Sequence, residues 1–171
     1  FGGTLNRVHI GHLRASLEVK VGFGLDEGVL IPAALPPHKI PFEVADAADG
    51  VQMLDLALED VFGLKISDVE LKRAGPSYTI DTVQHFKQAL PDQSQIYLIM
   101  GMDAFLEFDS WKSYDKLLRK IPFIIISRPK TGIHTDGSGR KTIENFLISK
   151  ISTEFVFSES QNCFRSKNQQ P

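Results

Sequence analysis

Short apolar runs alternate with segments of helical periodicity along this chain, and the alternation restricts its fold more than any other feature. Runs typical of buried strands lie at residues 28–33, 66–71, 95–100 and 121–127. Helical patterns separate them at residues 10–21, at 46–62, from a cap at Ser77 or Thr79 to about residue 90, and at 114–119. The alternation predicts an α/β fold in which helices cover both faces of a doubly wound parallel sheet. Loops after the strands then meet at one edge, where such sheets bind ligands.

The composition is that of an ordinary globular chain with no bias towards one class of partner. Its 171 residues suit a single domain, residues 1–171, and are 42% hydrophobic and 23% charged. The formal net charge of −2 gives no electrostatic case for nucleic acid or a membrane surface as a partner. No apolar run is long enough to span a bilayer, and the sole cysteine, Cys163, excludes an internal disulfide. We expect a cytoplasmic protein that meets a phosphate-rich substrate through a local site.

The segment from Gly2 to His12 (GGTLNRVHIGH) has the features of a phosphate-binding turn. Its glycines let the backbone approach a ligand closely, and a helix begins beside the histidines, where free N–H groups and the helix dipole favour phosphate. His9 and His12 stand three residues apart, which places both imidazoles on one face of the first turn, and Gly11 leaves room for a bulky group. A glycine turn with two surface histidines is the alternative for H-x-x-H alone. No third ligand lies near enough in sequence to favour a metal site.

Four ordered motifs carry a resemblance to a known family. The first, Gly-Gly-Thr-x-Asn-x-Val-His-Ile-Gly-His-Leu from residue 2, is similar to the H-x-G-H signature of the nucleotidyltransferase superfamily. The others are PPHK at 36–39, GPSYTIDT at 75–82, and GMD at 101–103 followed by Phe108 and Trp111. Their order and spacing, from residue 1 to about residue 129, resemble bacterial nicotinate-nucleotide adenylyltransferases. The resemblance implies a Rossmann-like form of the sheet and an enzyme of NAD biosynthesis, which transfers the adenylyl group of ATP to nicotinate mononucleotide.

The resemblance also implies a role for each motif. His9 and His12 are the implied catalytic residues, which contact the ATP phosphates and stabilise charge in the transition state. The implied ATP-binding residues are Gly3, Thr4, His9, His12, Gly101 and Asp103. The implied substrate-binding residues are Lys39, Thr79, Trp111 and Tyr78. Lys39 would bind phosphate, the backbone N–H of Thr79 would bind the nicotinate carboxylate, and Trp111 would stack on the pyridine ring.

The implied reaction needs positioning and charge neutralisation more than proton transfer. The phosphate of nicotinate mononucleotide attacks the α-phosphorus of ATP, and nicotinate adenine dinucleotide and pyrophosphate form. The attacking group is already an anion, so no general base is required. The resemblance implies Mg²⁺ on the ATP phosphates, which would explain why the sequence shows no carboxylate cage, and no protein metal ligand is expected. The family association makes a homodimer plausible.

Each substrate-binding candidate also has an ordinary structural alternative. A lone lysine such as Lys39 is more often a solvated surface side chain. Asp103 also fits the N-cap of a helix. Trp111 could pack in a core instead of stacking on a ligand ring, and Tyr78 could pack or line the pocket. Arg128 could face the site or solvent.

The sequence departs from the family pattern in three places. Arg7 stands where proline is usual, and Leu5 stands where phenylalanine is usual. The family's Ile-Ser-Ser-Thr-x-Ile-Arg segment is not found, because residues 151–153 match only a fragment of it. We expect this segment to be missing from the chain or lost from the protein. The chain also begins abruptly at the glycines, so we expect the first strand to be cut. The alternatives are a pantetheine-phosphate adenylyltransferase, a nicotinamide-mononucleotide adenylyltransferase, and a nucleotide-binding module without turnover.

Overall fold

The computed structural model describes most of the chain between residues 1 and 126 and shorter stretches after it. The described residues are 1–3, 9–35, 37, 47–59, 61–126, 141, 143, 145–146, 155–158 and 163–166. The strands are β1 (Gly2–Gly3), β2 (Gly28–Pro32), β3 (Leu64–Ile66), β4 (Leu98–Gly101), β5 (Phe123–Ile126), β6 (Phe155–Ser158) and β7 (Cys163–Ser166). The helices are α1 (Ile10–Gly22), α2 (Ala47–Leu58), α3 (Thr79–Ala89), α4 (Met102–Leu106) and α5 (Tyr114–Lys120), with a short 3₁₀ helix at Phe108–Ser110.

The strands before residue 127 pair in parallel, and the last two pair in antiparallel fashion. One sheet has the order β1-β2-β3, a second pair joins β4 to β5, and a third joins β6 to β7. Gly28 pairs with Leu64 in the first sheet, and Leu98 pairs with Phe123 in the second. Parallel strands with intervening helices confirm the predicted α/β class.

The chain divides into two compact units, Phe1–Ser94 and Gln95–Pro171. The core of the first unit joins α1, β2 and α2 through Leu13, Leu30 and Leu54, and both Leu30 and Leu54 are fully buried. Burying each leucine side chain contributes about 1.5–3 kcal/mol relative to leaving it exposed. These contacts fix α1 against the strand beside β1, and so they hold the helix start near the glycine turn.

The core of the second unit is rich in aromatic rings. Phe105 and Phe108 are almost fully buried, and their ring centroids lie 6.2 Å apart. Phe123 on β5 meets Phe108 edge to face at 5.0 Å. Offset and edge-to-face pairs add about 0.5–1.5 kcal/mol each beyond the area that they bury. The single domain predicted from chain length stays a prediction, and each unit is described by itself.

Two predicted element boundaries are wrong. The strand predicted at residues 66–71 lies instead at Leu64–Ile66, and the following residues turn, because the carbonyl of Asp68 accepts hydrogen bonds from the N–H groups of Leu71 and Lys72. Helix α2 ends at Leu58, four residues before the predicted end at residue 62. The strand β7 was not predicted from the sequence, because its polar residues show no periodic pattern. None of the described helices combines the length and apolar character needed to cross a membrane.

Candidate active site

The first two glycines of the predicted phosphate-binding segment, Gly2 and Gly3, form β1. Gly2 pairs with Ile31 and Gly3 pairs with Pro32, so both glycines lie at the carboxyl end of a parallel strand pair. This position confirms that the first residues form the end of a strand, and it is where ligands bind in open α/β sheets. Thr4 lies outside the described residues, as does Arg7, and the predicted ATP contact of Thr4 stays a prediction.

The two histidines lie together at the start of α1, as their spacing predicts. Their imidazole rings stack with centroids 3.8 Å apart and planes inclined by 24°. His9 is the N-cap residue, and its Nδ1 accepts a hydrogen bond of 3.1 Å from the N–H of Gly11. An Nδ1 that accepts a hydrogen bond carries no proton, so a neutral His9 has its N–H at Nε2. His9 therefore caps the helix with one ring nitrogen and keeps a donor on the other.

Gly11 is required by the position of the His9 ring. A Cβ built at Gly11 would lie 2.9 Å from both Cε1 and Nδ1 of His9, which is closer than real Cβ contacts allow. The sequence predicts space for a bulky group beside Gly11, and the imidazole of His9 occupies that space. Any larger residue at this position must displace the ring from the helix end.

The N-terminus of α1 is favourable for an anion. The helix has 13 residues and no acidic residue in its first turn. The first N–H groups of a helix point out of its end, and the macrodipole places about +0.5 charge there. A phosphate at this end would meet the helix dipole and the His9 side chain together.

The start of α3 is built differently from its predicted form. Ser77 and Thr79 were the predicted caps, but the N-cap residue is Tyr78, whose side chain makes no capping hydrogen bond. The Ser77 hydroxyl instead accepts hydrogen bonds from the N–H groups of Ala34 and Leu35, at 3.0 and 3.2 Å. The sequence prediction failed because these partners lie 43 and 42 residues away along the chain.

A buried polar network behind α3 was also missed from the sequence. The hydroxyl of Thr82 donates a 2.6 Å hydrogen bond to the Glu70 carboxylate, and both residues are buried. The Arg73 guanidinium donates to the Thr82 hydroxyl at 3.2 Å and to the Tyr78 carbonyl at 3.4 Å. Glu70 lies in the region predicted as a strand, residues 66–71, and Arg73 lies just after it, so no local pattern could reveal this network.

In the second unit, β4 runs directly into α4 at the predicted Gly-Met-Asp motif. Gly101 is both the last residue of β4 and the N-cap of α4. Asp103 is exposed and lies in the first turn of α4, so the N-cap alternative for Asp103 is wrong. An exposed carboxylate just past a strand end can accept hydrogen bonds from ribose hydroxyls.

Trp111 is half-buried rather than sealed in the core. Its ring lies against the buried Phe108 ring, with centroids 5.2 Å apart and planes inclined by 51°. It follows the 3₁₀ helix as its C-cap residue. A ring supported on one side and partly exposed is suited to stacking on a flat ligand.

The predicted site residues therefore fall into separate groups. His9 and His12 lie at the start of α1, Tyr78 and Thr79 lie at the start of α3, and the second unit holds Gly101, Asp103 and Trp111. Lys39 and Arg128 lie outside the described residues. The roles of all of these residues in binding and catalysis stay predictions.

The first unit also has an open polar depression of about 730 Å³. It is lined by Ser67, Asp68, Val69, Lys72, Arg73, Asp81, Gln84, His85 and Gln88. None of the predicted site residues lines it. We favour the predicted residues at strand ends and helix N-termini as candidates, because both positions suit phosphate or nucleotide binding, whereas Lys72 in the depression already pairs with Asp68 at 2.9 Å. Within the described part of the chain, no three His, Cys, Asp or Glu side chains are grouped to hold a metal ion.

Comparison with known proteins follows the same motifs. The cytidylyltransferase-like family model matches residues 1–162. A probable nicotinate-nucleotide adenylyltransferase of Desulfatibacillum aliphaticivorans is 38% identical over 166 residues, which cover 97% of this chain and 74% of that protein. Another, from Pseudomonas fluorescens strain Pf-5, is 41% identical over 149 residues, covering 87% of this chain and 67% of that protein.

A solved structure supports the fold independently of close sequence similarity. The nicotinic acid mononucleotide adenylyltransferase of Plasmodium falciparum complexed with NaAD matches with a TM-score of 0.69 at 17% identity. The match covers 85% of this chain and 68% of the Plasmodium chain. It confirms the Rossmann-like form of the α/β fold.

Proposed function

The chain belongs to the nicotinate-nucleotide adenylyltransferases of the cytidylyltransferase-like family, and we propose that it transfers the adenylyl group of ATP to nicotinate mononucleotide in NAD biosynthesis. The observation that supports this most directly is the pair of stacked imidazoles on the first turn of α1. The exposed His9 ring uses its Nδ1 as the cap, which leaves its Nε2 to face a ligand at the positive end of the helix. That arrangement suits the ATP phosphates.

The proposed reaction exchanges one phosphorus–oxygen bond for another. An oxygen of the nicotinate mononucleotide phosphate bonds to the α-phosphorus of ATP. The bond from the α-phosphorus to the bridging oxygen of the β-phosphate breaks, and pyrophosphate leaves with that electron pair. Both reacting groups are anions, so His9, His12 and the α1 N-terminus act by orienting them and by offsetting their charge.

The proposal assigns a divalent cation, Mg²⁺, to the ATP phosphates rather than to a protein cage. Mg²⁺ prefers six oxygen ligands and keeps several waters, so phosphate oxygens and water can supply its coordination. When bound, it neutralises phosphate charge. The residues of this chain then position the nucleotide around it, Gly101 and Asp103 at the ribose and Gly3 and Thr4 through the backbone.

The nicotinate end of the acceptor is assigned to the start of α3. Among the described residues, no hydrogen bond uses the N–H groups of Thr79 and Ile80. Such N–H groups at a helix start can bind a carboxylate. Trp111 would stack on the pyridine ring, Tyr78 would contact the acceptor, and Lys39 would bind its phosphate. We place the reaction in the cytoplasm, whose reducing conditions suit a chain with the single cysteine Cys163.

The proposal is tested by product formation from two acceptors. The protein is incubated with ATP, Mg²⁺ and either nicotinate or nicotinamide mononucleotide, and pyrophosphate and dinucleotide are measured. We expect turnover with the nicotinate acceptor and a loss of about a hundredfold or more in His12→Ala, since removing one transition-state donor costs about 10²–10³ in rate. Preference for the amide, or nucleotide binding without pyrophosphate from either acceptor, would each replace this proposal with the corresponding alternative.

A further inference from the structure

Ser77 connects two segments that the proposed function places around the acceptor nucleotide. Its hydroxyl accepts hydrogen bonds from the N–H groups of Ala34 and Leu35, and its own N–H donates to the Leu35 carbonyl at 2.9 Å. Ser77 is buried, with 8% of its surface exposed. Three hydrogen bonds from one small residue therefore join the segment after β2 to the turn before α3.

Each of the two joined segments leads to a residue proposed to bind the acceptor. Tyr78 and Thr79 follow Ser77 directly, and Thr79 is the first residue of α3. The other segment continues in sequence from Leu35 to Lys39. Ser77 thus lies where the carboxylate-binding turn and the chain leading to the phosphate-binding lysine are tied together.

The turn at Tyr78 is also fixed from its other side. The Tyr78 carbonyl accepts hydrogen bonds from the N–H groups of Asp81 and Thr82, at 3.1 and 3.3 Å, and from the Arg73 guanidinium. Gly75 before it has a φ of +87°, which a residue with a side chain rarely adopts. The Tyr78 carbonyl is thus held by α3 and Arg73. The hydroxyl of Ser77 then fixes the position of this turn relative to the chain after β2.

We propose that Ser77 is a positioning residue that fixes the nicotinate-binding turn at Tyr78–Thr79 against the backbone of Ala34 and Leu35. The inference rests on the proposed function of these segments. Ser77 is assigned no substrate contact: it would act by holding in place the turn whose following N–H groups, at Thr79 and Ile80, are proposed to bind the carboxylate. A misplacement of about 1 Å in a binding group can cost about a hundredfold in rate, so a small loosening here is measurable.

The test separates acceptor binding from ATP binding and from stability. In Ser77→Ala the N–H groups of Ala34 and Leu35 lose their acceptor, and we expect the KM for nicotinate mononucleotide to rise about tenfold, equivalent to about 1.4 kcal/mol. The KM for ATP should change less than about twofold. Ser77→Cys keeps the shape with a weaker acceptor and should fold even if Ser77→Ala does not, with an intermediate KM for the acceptor.

Val19→Ala is the matched control for lost stability. Val19 is buried at 6% exposure and lies seven residues beyond His12 on α1, about 10 Å along the helix. We expect it to lower Tm without altering either KM. If the serine variants change Tm alone, or raise both KM values equally, the positioning role is wrong. If the unaltered protein converts no nicotinate mononucleotide, the proposed function fails first, and the positioning role fails with it.

Discussion

The N-termini of α1 and α3 are both proposed to bind anions, but they are prepared in different ways. Helix α1 is capped from within, because the Nδ1 of His9 accepts the N–H of Gly11 two residues later. Helix α3 has no side-chain cap. The carbonyl of its N-cap residue, Tyr78, accepts a hydrogen bond from Arg73, and the Ser77 hydroxyl bonds the preceding turn to the chain after β2. Among the described residues, the cap of α1 comes from the adjacent His9, whereas the start of α3 is held by contacts from distant parts of the chain.

The electrostatics of the two helix ends differ as well. The first turn of α1 has no acidic residue, whereas that of α3 contains Asp81. A carboxylate in the first turn stabilises a helix but disfavours a second anion nearby. The α1 end is therefore the better place for a polyphosphate, and α3 is suited to one carboxylate bound through backbone N–H groups. The comparison leads us to expect large, local effects of substitution at α1 and smaller, distributed effects at α3.

The largest effect is expected at His9, where capping and phosphate contact coincide. His9→Ala should destabilise the protein by about 1 kcal/mol, as removal of a side-chain cap does. It should also lower kcat/KM for ATP about a hundredfold, because a donor to the phosphates is lost. Urea denaturation and steady-state kinetics measure the two losses separately.

His9→Asn separates the two roles of that side chain. Asparagine is among the best N-cap residues, so the stability should return to that of the unaltered protein. The activity should stay low, because the imidazole N–H is still absent. Recovery of activity in His9→Asn would show that the ring serves only as a cap, and the phosphate contact would have to be reassigned.

A smaller effect is expected at Gly11. Alanine is favoured over glycine inside a helix by about 1 kcal/mol, but its Cβ would lie 2.9 Å from two atoms of the His9 ring. In Gly11→Ala the higher helix propensity of alanine should raise the free energy of unfolding, and the clash with the His9 ring should lower it. The displaced ring should lower kcat/KM for ATP about tenfold.

Gly22→Ala, at the other end of the same helix, is the control. A Cβ at Gly22 meets nothing within 4 Å, so stability should be equal or higher and the kinetics unchanged. Equal kinetics for Gly11→Ala and Gly22→Ala would mean that the ring position seen here is not needed for turnover.

The same contrast explains what the sequence could predict. The start of α1, the adjacency of His9 and His12, and the buried strand β2 follow from spacing and hydrophobicity over a few residues, and the structure agrees with each. The supports of α3 could not be predicted in this way, since serine is a common cap and the local rule assigned Ser77 to that role. Its hydroxyl is used instead by partners more than 40 residues earlier. Local sequence rules therefore fail where a hydroxyl hydrogen-bonds to residues that are distant in the chain instead of to the helix beside it.

The smallest change in activity is expected for the network behind α3. Thr82→Val keeps the side-chain shape and removes the hydroxyl that donates to the buried Glu70 carboxylate. An unsatisfied buried acceptor costs about 1–3 kcal/mol, so the urea midpoint should fall with little change in the m-value. The KM for nicotinate mononucleotide should rise less than about threefold, because Arg73 and Ser77 still hold the turn.

The double variant Glu70→Leu, Thr82→Val decides whether this loss comes from an orphaned carboxylate. Replacing both residues with apolar groups removes the orphaned Glu70 carboxylate, while Arg73 keeps its hydrogen bond to the Tyr78 carbonyl, so the double variant should be more stable than Thr82→Val alone. If Thr82→Val instead abolishes binding of nicotinate mononucleotide while ATP still binds, a single hydrogen bond holds the α3 end. The two helix ends would then be equally dependent on one contact, and the contrast drawn between them would be lost.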